Sequence, residues 1–123
     1  MVSTNALAEG DICTFQQSNG AWGFFWVLKM DKAPDGEKIF SLKKFDAYTD
    51  EEVLKEYIDD VEELKGLPLQ GHFPICEKQV LECKPRIIGN MSVSEDDLEG
   101  YSIWKTAFDK GEAGVFTLPV EEI

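Results

Sequence analysis

Three observations in this 123-residue chain predict an α+β fold: strand-like, aromatic-rich segments in its first 45 residues, two capped amphipathic stripes further on, and turn chemistry between them. The expected architecture is a small antiparallel, partly barrel-like sheet of five to six strands. Two helices, at about 50–64 and 95–109, pack on it, and the length predicts a single domain spanning residues 1–123.

Gly10-Asp11 opens a first strand from Ile12 to Gln17, and Ser18-Asn19-Gly20 supplies a turn. Ala21 to Met30 follows, dense in aromatic and β-branched residues, so the pair reads as a hairpin. Pro34-Asp35-Gly36 is a second turn, after which Lys38 to Lys43 alternates polar with apolar as a third strand. Thr49-Asp50-Glu51-Glu52 reads as a capping box between Thr49 and Glu52. Val53, Leu54, Tyr57, Ile58, Val61 and Leu64 then recur at spacings of three and four, and Lys65-Gly66 before Pro68 supplies a stop. Short strands are expected at about 73–77 and 79–88. Ser92 with Glu95, or Ser94 with Asp97, can cap the second helix, whose apolar face is Leu98, Tyr101, Trp104, Ala107 and Phe108. Gly100 interrupts that helix, marking a bend or a close approach of backbone to a neighbour. Gly114 to Leu118 reads as a last strand before Pro119.

Charge divides the chain more sharply than hydropathy does. Twelve basic and 24 acidic side chains give a net charge of −12. Residues 46–70 carry nine acids against Lys55 and Lys65, a net −7, and residues 92–123 carry eight against Lys105 and Lys110, a net −6. Residues 71–91 are slightly positive through Lys78, Lys84 and Arg86. With one arginine and one histidine there is little to clamp phosphates, so direct binding to nucleic acid or to an anionic membrane is disfavoured. No run of about 18 apolar residues is present, and the first ten residues lack the positive start and apolar stretch of an export signal, so a cytoplasmic location is expected.

Cys13, Cys76 and Cys83 cannot all pair within one chain and read as free thiols of a reducing compartment. His72, Cys76 and Cys83 follow a His-x3-Cys-x6-Cys spacing, but a structural zinc site needs four ligands and shorter cysteine spacing, so neither a metal nor another cofactor is expected. The chain has no glycine-rich phosphate loop and no nucleophile elbow, and its carboxylates sit on solvated helix faces, so it reads as a non-enzyme. Trp22, Phe24 and Trp26 share one face of their strand and Phe25 the other. They are either core residues or the lining of a groove for a peptide or small ligand.

Gly10-Asp11-Ile12-Cys13-Thr14-Phe15, a turn, and Gly20-Ala21-Trp22-Gly23-Phe24-Phe25-Trp26-Val27-Leu28 together resemble the opening of the immunity protein 26 family of bacterial polymorphic toxin systems. The likeness covers about residues 10–45. It implies a cytoplasmic protein that binds and neutralises a cognate toxin without catalysis or a cofactor. A basic protein toxin, a nuclease among the candidates, is then the expected partner of the acidic surface. The contacts expected are Glu52, Glu56, Asp59, Asp60 and Glu63 for steering, with Tyr48, Trp22, Trp26 and Tyr101 as anchors. The alternative is a small-barrel interaction module that binds a peptide or small ligand through an aromatic groove at residues 22–26.

Overall fold

A computed structural model describes residues 7–123. The export-signal reading of the first ten residues falls largely on positions 1–6, outside the described residues. β1 (Asp11–Gln16) and β2 (Trp22–Lys32) form the expected hairpin, with Cys13 opposite Phe25 and Phe15 opposite Gly23. Asn19 Oδ1 accepts from the Ala21 amide at 2.9 Å, closing the turn. Asp35 Oδ1 does the same for the Glu37 amide at 2.9 Å in the next turn, which leads into β3 (Lys38–Lys44). β4 (Phe73–Cys76) pairs antiparallel with β3, and β5 (Arg86–Asn90) pairs antiparallel with β1. The strand order is β4-β3-β2-β1-β5.

The fold is therefore α+β, but the sheet is open: β4 and β5 end it on opposite sides, which corrects the partly barrel-like expectation. Both faces are covered instead. On the first, Cys13, Phe15, Phe25 and Val27 meet Val80 of α3 (Glu77–Glu82) and Val120 of the C-terminal turn. On the second, Ile12, Phe24, Trp26 and Leu28 meet Leu54 of α1 (Glu51–Asp59) and Leu64 of α2 (Val61–Lys65). α4 (Glu99–Asp109) follows a single 3-10 turn at Asp96–Leu98.

Three expected elements differ. The helix at 50–64 breaks at Asp60, whose φ of −137° and ψ of 82° leave the helical region. The break lets Val61 press on Gly89 of β5, where a Cβ would lie 2.7 Å from Val61 Cγ2, and sets Leu64 fully into the core. The strand at 79–88 is instead the end of α3 and the start of β5. Lys84 at φ 49° ends the helix in the left-handed region, and Pro85 follows it. The last strand, 114–118, is reduced to a parallel bridge between Phe116 and Ile75 on the outer edge of β4. Among the described residues, no helix is long and apolar enough to cross a membrane.

Candidate acidic interface

The α1–α2 pair is seated by its apolar stripe. Leu54 and Leu64 are buried, and the Tyr57 ring meets Phe24 edge-on at 5.4 Å between centroids. The cap of α1 is Asp50, whose carboxylate accepts from the Val53 amide at 2.9 Å, and not the expected Thr49. Thr49 is drawn away by an antiparallel bridge to Trp22, with N–H···O distances of 2.8 and 2.9 Å. Glu51 and Glu52 fall in the first turn, where the helix dipole favours negative charge.

With the stripe turned inward, Glu51, Glu52, Glu56, Asp59, Asp60, Glu62 and Glu63 are all exposed. Glu62 is paired with Lys65 at 2.7 Å, an i,i+3 bridge on the surface. Glu52, Glu56, Asp59 and Glu63 have no side-chain hydrogen bond or ion pair among the described residues. Tyr48, 48% exposed, stands just before the cap, and the Thr49 bridge brings the half-buried Trp22 beside it. Five predicted carboxylates and two predicted anchors therefore share one end of the molecule, split across two short helices.

The other two anchors do not join them. Trp26 is 1% exposed, with its indole N–H donating to the Met91 carbonyl at 2.9 Å, so it is a core residue. Phe24 and Phe25 are equally buried, because helices or the C-terminal segment cover each face, and the aromatic groove of the alternative reading is filled by the protein itself. Tyr101 belongs to a different site. Its hydroxyl donates to the Asp31 carboxylate at 3.0 and 3.2 Å, near the far end of β2 from Trp22, roughly 30 Å away along the strand at about 3.3 Å per residue. Burial first and the Asp31 carboxylate second push the Tyr101 phenol up to about 12.

Around Tyr101 lies a ring cluster that no sequence motif announced. His72, just before β4, faces Tyr101 at 6.0 Å and Trp104 at 5.9 Å, and Trp104 stacks on Phe108 at 4.9 Å. Gly100 makes the close approach its position suggested, since a Cβ there would lie 3.1 Å from His72 Cβ. The His72 Nε2 is buried with no hydrogen-bond partner among the described residues, and burial, aided by Lys43, pushes the imidazole down to about 4. Of the two expected boxes, the Ser94–Asp97 pair forms, the Ser94 amide and hydroxyl donating to Asp97 at 2.9 and 2.8 Å, but it closes the 3-10 turn ahead of α4, which itself starts after Leu98 without a side-chain cap. Those bonds hold the Asp97 carboxyl below its ordinary value.

The cysteines are separated by the sheet. Cys13 is in the first-face core with Cys83 packed against that core, whereas strand alternation turns Cys76 to the opposite face from Phe73 and Ile75. Among the described residues, no group of three or more His, Cys, Asp or Glu side chains is placed to hold a metal ion. Burial raises the Cys13 thiol strongly and pushes Cys83 up to about 12, while the Cys83 thiol donates to the Val80 carbonyl at 3.1 Å. A nucleophilic cysteine needs the opposite shift. A scan against protein-family models finds no match for the chain, and searches of curated proteins and of solved structures find none either.

Proposed function

We propose that this chain is a non-catalytic cytoplasmic binding protein, an immunity-type inhibitor whose α1–α2 flank covers a basic surface of a bacterial protein toxin. The observation that carries the reading is that exposed Glu52, Glu56, Asp59 and Glu63 have no side-chain partner among the described residues and sit on helices whose other side is locked to the sheet by Leu54 and Leu64. Preorganised charge of one sign steers an oppositely charged partner and raises its association rate. Tightness comes from desolvated anchors, and Tyr48 and Trp22 stand beside the row to supply them. The likeness of about residues 10–45 to the opening of immunity protein 26 supports the inhibitor reading.

The partner to test is the toxin encoded beside this chain's own gene. Replacing Glu52, Glu56, Asp59 and Glu63 together by lysine should slow association at least about tenfold at low salt, with the thermal midpoint little changed. Unchanged association kinetics and intact protection against the toxin would remove this flank as the contact surface.

A further inference from the structure

The two edges of the sheet are treated differently by the chain. The outer edge of β4 is covered by its own C-terminal segment, the Cys76 amide donating to Phe116 O at 3.3 Å and the Phe116 amide to Pro74 O at 2.9 Å. β5 ends the sheet on the other side, and among the described residues no further strand or bridge pairs with it. An open edge is a template for another strand. Ile87, 38% exposed, lies opposite Cys13 on the first face, and Leu81 of the neighbouring α3 is 42% exposed.

Charge selects what can pair there. The edge is entered past exposed Lys84 and Arg86, in the one part of the chain whose net charge is positive. It leaves at Asn90, whose side-chain amide donates to Asp11 Oδ1 at 3.3 Å, while the nearby Glu9 is already paired with Lys29 at 3.3 Å. The edge is thus basic at its start and backed at its end by one carboxylate, Asp11 of the neighbouring β1. We propose that β5 pairs antiparallel with β5 of a second copy, joining the two sheets about a two-fold axis near Ile88. That arrangement sets Arg86 of each copy against the Asn90–Asp11 end of the other, whereas parallel pairing would place like charge on like charge. Ile87 and Leu81 supply the apolar contact. A five-residue edge buries less than the roughly 1,200 Å² of a standard interface, so the dimer belongs to the weak, transient class.

Sedimentation equilibrium of the full chain between about 5 and 500 µM should show the average mass rising from monomer toward dimer over that range. Arg86→Glu acts twice across a two-fold interface and should weaken the dimer about tenfold. Lys110→Glu, at the end of α4, changes the net charge equally and should leave it as it was; circular dichroism checks that both variants fold. A monomer at every concentration, a dimer indifferent to Arg86→Glu, or equal weakening by Lys110→Glu would each overturn the proposal.

Discussion

The two acidic helical regions look alike as strings of charge and dock to the rest of the fold by different means. Residues 46–70 carry −7 and residues 92–123 carry −6, each with an amphipathic helix. In the first, the carboxylates point outward and most have no partner. In the second, Asp97 is bound by Ser94, Asp109 by Lys105 at 2.8 Å, and the aromatic residues close on His72 and Asp31. Charge density alone therefore does not mark an interface. What distinguishes the α4 region is its aromatic side, where Tyr101, Trp104 and Phe108 close on His72 and the Tyr101 hydroxyl ties the helix to Asp31 of β2; its exposed Glu95, Asp96, Glu99 and Glu112 have no side-chain partner among the described residues, as on the α1–α2 flank.

The largest expected difference between the regions is in stability. Trp104, 9% exposed, stacks on Phe108, meets the His72 and Tyr101 rings, and donates to Gly114 O at 2.8 Å. Trp104→Ala should cost about 3–5 kcal/mol in urea unfolding, while the charge-reversed α1 helix should lose little. A loss below about 1 kcal/mol would mean that α4 is not docked as described.

Next in size is a pH effect confined to the α4 side. His72 is held neutral down to about 4 when folded and titrates near 6.5 when unfolded, so between those values the unfolded chain binds the extra proton. Stability is complete above about pH 6.5 and falls as pH drops toward 4, by about 1–2 kcal/mol once the ring's partial contact with solvent is allowed for. Urea midpoints at pH 7.5, 6 and 5 should show this decline in the natural chain and a shallower one in His72→Phe. Equal slopes would show that carboxylate titration alone accounts for the decline.

The smallest effect compares the caps. Asp50→Ala removes the bond to the Val53 amide and should cost about 1 kcal/mol, read from thermal unfolding. Because Asp50 lies beside the proposed contact row, the same variant sharpens the comparison: association with a basic partner should change far less than with the fourfold reversal.

Much of the fold could be read locally. The two turns, the hairpin and β3 rest on side chains that bond their own backbone or alternate along a strand, and both the Ser94–Asp97 box and the close approach at Gly100 carried signals of the same short range. The errors have a common origin. The break at Asp60 answers to Val61 meeting Gly89, 28 positions later, and the burial of Trp26 answers to which helices reach its face. One error had a local signal: Lys84-Pro85 ends α3, and a proline just after a helix is a familiar stop. Of the predicted contact residues, the exposure of the carboxylates was legible because charge stays in water wherever it can, and the places of Trp26 and Tyr101 were not because an aromatic side chain is equally suited to core or surface.

What the amino-acid sequence determined by itself was the α+β class, the position of its hairpins and the confinement of negative charge to two helical stretches, since each depends on interactions within a few residues. Tertiary structure alone decided that the sheet stays open, that both its faces are filled, and that α1–α2 docks by an aliphatic stripe while α4 docks through an aromatic cluster. Those outcomes depend on which distant surfaces exclude water from each other, and that is set only when the chain has closed on itself.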